Sequence, residues 1–161
     1  MWRVNDTNPA CAISCFRGDW PTFKERERRK DVQIGILDDN SAILDLLSLS
    51  LQMTGHTVYT HMTSSSLLEV LFPSSPNNIL LRYDLVILDL NLAETYSGAD
   101  LLIMIRKTLS AEQLPIILMT AADGSTIEEY KRILPGDVPL LRKPFRQCEL
   151  LQVITQSKPS S

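Results

Sequence analysis

The sequence predicts an α/β fold built on one doubly wound, five-stranded parallel sheet of order 2-1-3-4-5, with helices on both faces. Three observations lead there. From Asp31 onward, strand-like and helix-like patterns alternate five times. The strand-like stretches are short apolar runs bounded by turn signals, as expected of strands buried on both faces of a parallel sheet. The 161 residues are too few for the eight units of a closed barrel, and right-handed crossovers spread the intervening helices over both sides of an open sheet.

Each element has a local cause. The first strand, Val32 to Leu37, runs into Asp38 and Asp39. Asn40 or Ser41 caps a helix through Leu44, Leu47 and Leu51 that stops at Gly55. The second strand is Thr57 to Thr60, and Ser66-Leu67-Leu68-Glu69 has capping-box spacing for a short helix ended by Pro73. A Ser/Pro/Asn loop follows. The third strand, Leu85 to Leu88, ends at Asp89, and Gly98 to about Leu109 reads as a helix with an apolar centre. The fourth, Pro115 to Met119, ends at Thr120, before a polar helix from Ser125 to Leu134 closed by Pro135-Gly136. The fifth, Val138 to Arg142, ends at Lys143, before a helix from Phe145 to about Gln156 that turns Leu150, Leu151 and Ile154 to the sheet.

Residues 1–30 read as a lead or linker segment. They lack a sustained period, Phe23 to Lys30 has the composition of a short charged helix, and Trp2 and Trp20 hint that the segment packs on something. Residues 31–157 form the domain and 158–161 a polar tail. A net charge of −3 argues against direct nucleic-acid binding and gives no reason to invoke a membrane surface. No apolar stretch reaches the ~18 residues of a membrane span, and the start lacks a signal peptide's apolar centre, so a cytoplasmic location is the default expectation. Cys11, Cys15 and Cys148 fit neither a disulfide framework nor a zinc knuckle; Cys148 falls in an apolar helical pattern and reads as a small core residue. His56 and His61 have no Cys or acidic partner at metal-ligand spacing and read as structural or surface residues.

The chemistry gathers at the strand ends. In open α/β sheets, ligands bind where the carboxyl ends of the strands come together. Asp38, Asp39 and Asp89 bring three carboxylates to that rim, too many to stay ionised together without a cation. A hard divalent cation such as magnesium takes such oxygen ligands. One of the carboxylates is then available as a nucleophile towards phosphorus. Thr120 supplies a hydroxyl and Lys143 a positive charge for the phosphoryl oxygens, and the amides of Leu90, Asn91 and Ala121 complete the shell if the loops curl inward. Singly, each residue has a bland reading as a cap or turn; the four features in order at successive strand ends are what point to a phosphoryl site.

These stretches resemble the receiver domain of bacterial two-component response regulators over roughly residues 31–157. The resemblance rests on Ile34-Gly35-Ile36-Leu37-Asp38-Asp39-Asn40, Leu85-Val86-Ile87-Leu88-Asp89-Leu90-Asn91, Ile116-Ile117-Leu118-Met119-Thr120-Ala121 and Leu141-Arg142-Lys143-Pro144-Phe145. It implies a flavodoxin-like fold and a phosphoryl switch rather than a conventional enzyme, catalysing at most its own phosphorylation and dephosphorylation. It implies Asp89 as phosphoacceptor and Asp38, Asp39, Asp89 and the carbonyl of Asn91 as ligands of magnesium, or of manganese in its place. Thr120, Lys143 and Ala121 would bind the phosphoryl group, and the contacts of Thr120 and Lys143 are expected to form only once it is present. A cis peptide is expected before Pro144. The donor would be a sensor histidine kinase or a histidine phosphotransfer protein. The signal would leave to a downstream protein or an effector domain outside this chain. The family's usual output face here carries Glu128, Tyr130, Lys131, Arg142 and Arg146, a mixed-charge patch suited to a protein partner.

Three departures from the family pattern stand out. Ala93 replaces the Pro four residues after the phosphoacceptor, and Gly98 falls nine residues after it rather than eight, so Leu92 to Ser97 is expected to bulge. Leu140 takes the place of the aromatic switch residue, which weakens the basis for a rotamer-based readout. The connection from Leu71 to Arg82 is long, as for a partner-contacting loop. Two other readings compete: a pseudo-receiver that binds partners without being phosphorylated, and a haloacid-dehalogenase-type phosphohydrolase. The latter wants an Asp where this chain has Asn91. Ser157 to Ser161 leaves no room for an output domain, so a stand-alone regulator or an excised receiver is expected.

Overall fold

The structure is a computed structural model that describes residues 32–73, 83–93, 95–134 and 138–157. The lead segment with its charged stretch Phe23–Lys30 and both tryptophans, most of the 71–82 connection, Pro135-Gly136 and the 158–161 tail lie outside the described residues. Five strands and five helices alternate: β1 Gln33–Leu37, α1 Ser41–Gln52, β2 Thr57–His61, α2 Ser64–Leu71, β3 Leu85–Asp89, α3 Gly98–Arg106, β4 Ile116–Thr120, α4 Gly124–Ile133, β5 Leu140–Arg142 and α5 Gln147–Ser157. All strands pair in parallel in the order β2-β1-β3-β4-β5, as the sequence predicts.

The sheet divides the apolar side chains by the two-residue period of a strand. Ile34, Ile36, Leu85, Ile87, Ile117 and Met119 face one core with Leu44, Leu47, Leu51, Leu150 and Ile154 from α1 and α5. Leu37, Val86, Leu88, Ile116 and Leu118 face the other, with Leu67, Leu71, Leu101, Leu102 and Ile105 from α2 and α3. Each fully buried Leu or Ile contributes about 2 kcal/mol, so both faces of the sheet are fixed and the register is not free to slip.

Capping sets where the helices start. The Asn40 side chain accepts from the amide of Ala42 and opens α1; Gly55 at φ 87 ends the turn that follows. At α3, Ser97 and Asp100 form a reciprocal capping box. Asp123 accepts from the amide of Thr126 and starts α4 one residue before the expected Ser125. At α2 the structure corrects the sequence reading. The cap is Thr63, whose hydroxyl accepts from Ser66 N. The Ser66 hydroxyl is instead hydrogen-bonded to Nδ1 of His61.

Nε2 of His61 lies 2.7 Å from the buried hydroxyl of Tyr83, so this histidine ties β2 to the segment entering β3. Gly35 makes room for that segment, since a Cβ there would come 2.8 Å from the Tyr83 ring. Cys148 is only half-buried rather than a core residue, because α5 turns Leu150, Val153 and Ile154 inward and position 148 falls on the other side of the helix. Among the described residues no helix is long and apolar enough to cross a membrane.

Candidate metal and phosphoryl site

The register aligns the strand ends. Leu37 pairs with Leu88, Asp89 with Met119 and Thr120 with Arg142, so Asp38, Asp89, Thr120 and Lys143 emerge together at one edge of the sheet. Asp38, Asp39 and Asp89 each offer a carboxylate oxygen, and these oxygens lie within 4.8 Å of one another. Three hard oxygen donors on two adjacent strand ends fit a magnesium ion.

Lys143 already neutralises part of this charge. Its Nζ lies 2.6 Å from Oδ2 of Asp38 and 3.2 Å from Oδ2 of Asp89. The backbone behind it is anchored by Lys143 N donating to Thr120 O at 2.7 Å, and the Lys143–Pro144 peptide is cis. The expectation that lysine contacts await a phosphoryl group is therefore corrected: the ammonium is engaged with two carboxylates that would otherwise repel each other.

Asp89 is buried at the end of β3, and burial pushes its carboxyl above the usual carboxylate range. The Lys143 ammonium and the Asn91 amide, 3.3 Å from Oδ1, pull in the opposite direction, while Asp38 adds to the rise. Asp38 is held differently: Oδ1 accepts from Asn40 N at 2.9 Å while Oδ2 takes the lysine. Asp39 is half-buried, and its Oδ2 accepts from Ala93 N at 2.9 Å across the rim.

Thr120 is buried, and its hydroxyl accepts from Ala122 N at 3.0 Å and donates to Oδ1 of Asn91 at 3.3 Å. The amide reaching this hydroxyl is therefore that of Ala122, while Ala121 is exposed beside it. Asn91 is exposed on the loop after β3. All eight residues singled out in the sequence, Asp38, Asp39, Asp89, Asn91, Thr120, Ala121, Lys143 and Pro144, lie on the loops or strand ends of this one edge. Sequence reasoning missed the Asp39–Ala93 tie and the Ala122 amide. It also missed why Gly98 is needed: a Cβ there would run into the Asp89 carbonyl oxygen and lie 2.8 Å from Leu90 Cα.

A family model described as the response regulator receiver domain matches residues 34–155. Among solved structures, the Vibrio cholerae chemotaxis protein CheY4 is 22% identical over 80% of this chain and 99% of its own, with a TM-score of 0.63, a likeness of fold. The Thermotoga maritima response regulator TrrA, solved in complex with magnesium and a beryllium fluoride, is 26% identical over 78% of this chain and 98% of its own, at a TM-score of 0.62. The beryllium fluoride-activated receiver domain of DrrB, from the same organism, is 26% identical over 80% of this chain and 97% of its own, at 0.61.

Proposed function

The chain belongs to the response regulator receiver domain family, and from that premise we propose that it is a phosphoacceptor switch in which Asp89 takes a phosphoryl group from a phosphohistidine. The observation that carries the reading is the ion-pair fork: one half-buried ammonium, on Lys143, reaches both Asp38 and Asp89 beside a third carboxylate and a buried threonine hydroxyl. The donor is a sensor histidine kinase or a histidine phosphotransfer protein, and the site works in the cytoplasm.

In the transfer, one carboxylate oxygen of Asp89 bonds to phosphorus as the phosphorus–nitrogen bond of the donor histidine breaks. The bonding pair returns to the ring nitrogen, which takes a proton from water. Asp38, Asp39, Asp89 and the carbonyl of Asn91 are the residues to hold magnesium, or manganese, which when bound would offset the carboxylate charge and polarise the phosphoryl oxygens. Lys143 exchanges its carboxylate partners for a phosphoryl oxygen, and the Thr120 hydroxyl turns its proton from Asn91 to another. That exchange moves the loop from Ala121 to Thr126. The helix after it, α4, buries only Ile127 and is the element least anchored to the sheet. The output face then joins α4, β5 and α5, where Glu128 and Lys131 pair at 2.7 Å and Arg142 and Arg146 are exposed.

The test is intact mass after incubation with acetyl phosphate and magnesium. A gain of one phosphoryl group, about 80 Da, is expected, and Asp89→Asn abolishes it. Undiminished labelling of that variant would sink the assignment. A wild-type chain that gains nothing would instead favour a phosphorylation-independent interaction module, a reading supported by Leu140 at the position of the aromatic switch.

A further inference from the structure

The outer face of α1 is explained neither by the core nor by the strand-end site. Leu44, Leu47 and Leu51 form the buried stripe of this helix. On the opposite side Leu46, Leu49 and Met53 are 67%, 60% and 57% exposed. Their i, i+3, i+7 spacing places them on one face. Asp45 is the one ionisable residue from Ser41 to Met53. A surface helix normally turns a charged or polar face outward, so this apolar stripe is suited to being covered.

The described chain begins at Val32, beside the C-terminal end of α1. Val32 O accepts from Thr57 N at 3.1 Å, and His56 N returns to Leu51 O at 3.2 Å. Val32 also packs in one cluster with Leu47 and Leu51. What precedes it has the complementary composition. Residues 1–30 contain both tryptophans and two of the four phenylalanines. They carry seven basic and four acidic residues, against nine and fifteen in the remainder, so the two parts have opposite net charge. Reach is sufficient: the stretch from Phe23 to Val32 extends up to about 30 Å, and α1 with Met53 is about 20 Å long.

We propose that the lead segment folds back within the same chain and lays Phe16, Trp20 and Phe23 over Leu46, Leu49 and Met53. The docking does not depend on the phosphoacceptor reading.

Trp2 and Trp20 are the only tryptophans in the chain, so intrinsic tryptophan emission from the full-length protein reports on the lead segment alone. A Trp2→Phe variant leaves Trp20 as the single reporter. Its emission should be blue-shifted and shielded from acrylamide at every protein concentration. Leu46→Lys combined with Leu49→Lys should shift it to the red and raise quenching, with the far-ultraviolet circular dichroism unchanged because both side chains already face outward. If the double variant loses helical signal, Met53→Lys decides by the same readout. Met62→Lys, on an exposed position after β2, should change nothing. Fully hydrated emission in the parent, or emission indifferent to the α1 changes, overturns the proposal. So does shielding that appears only as concentration rises together with a dimer's sedimentation mass, which would make a second copy the occupant.

Discussion

The amide nitrogen of Ala93 lies 2.9 Å from Oδ2 of Asp39, tying the loop after β3 to the carboxylate that follows β1. The receiver pattern usually places a proline at this position, and proline has no N–H to give. The bond holds the Asp39 carboxylate at the rim, where one of its oxygens lies within 4.8 Å of carboxylate oxygens of Asp38 and Asp89. Ala93→Pro should therefore lower magnesium affinity roughly tenfold, the usual scale for a group that orients a metal ligand. Ala93→Ser keeps the amide and should bind as the parent does. Calorimetric titration of both variants with magnesium reads this directly, and equal affinities would show that Asp39 needs no such support.

Lys143 supplies the second prediction. Its side chain is 14% exposed and that of Asp38 is 1% exposed, so the pair at 2.6 Å is shielded from water. Removing one partner of a buried ion pair leaves an uncompensated charge, a loss of about 3 kcal/mol. Lys143→Ala should lower the metal-free melting temperature, and added magnesium should restore more stability to the variant than to the parent, because the carboxylates then lack any other cation. A variant whose melt responds to magnesium no more than the parent's would contradict this.

The fold was legible because its signals are local. Apolar runs end at Asp38, Asp89, Thr120 and Lys143, and strand ends can be read wherever a polar residue closes such a run. The five strands, their order and the residues gathered at the site edge followed from that pattern. What stayed hidden depends on partners distant in sequence. Ser66 has the right spacing for a cap, yet its hydroxyl is engaged by His61, so the cap falls to Thr63. The His61–Tyr83 contact joins residues 22 apart in the chain across a connection that no periodicity describes. The lysine fork was likewise unreadable: sequence places Lys143 at the rim, but only tertiary structure shows that both Asp38 and Asp89 are within its reach.

Gly98 shows the same limit and gives the third prediction. In the sequence it looks like a helix start. In the fold, Gly98 N donates to Leu90 O at 3.2 Å, and the close approach leaves no space for a Cβ against the backbone of Asp89 and Leu90. Backbone cannot yield as a flexible side chain can. Gly98→Ala should cost about 3 kcal/mol and displace the Asp89 strand end, reducing acetyl phosphate labelling beyond what the lower stability explains. Urea denaturation beside labelling of the folded fraction separates the two effects, and a variant as stable as the parent would rule out the contact.

The last prediction concerns acid. Asp123 caps α4, and its carboxyl is lowered to about 2 by the Thr126 amide first, with the hydroxyls of Ser125 and Thr126 adding to it. A depressed folded-state value means that the unfolded chain binds the proton more readily. The cap's contribution is therefore complete above the ordinary Asp value near 3.9 and is lost as pH falls from there towards 2. Because α4 buries only Ile127, this loss should appear locally before the sheet unfolds. Amide exchange from 124 to 130 should accelerate on acidification through that window, relative to the intrinsic rate, while the β3 and β4 amides stay protected. Asp123→Asn keeps a good capping oxygen without the titration, so the same segment should lose its pH dependence yet remain ordered. Asp123→Ala should be loose at every pH. If Asp123→Asn frays on acidification just as the parent does, some other group governs the opening of α4.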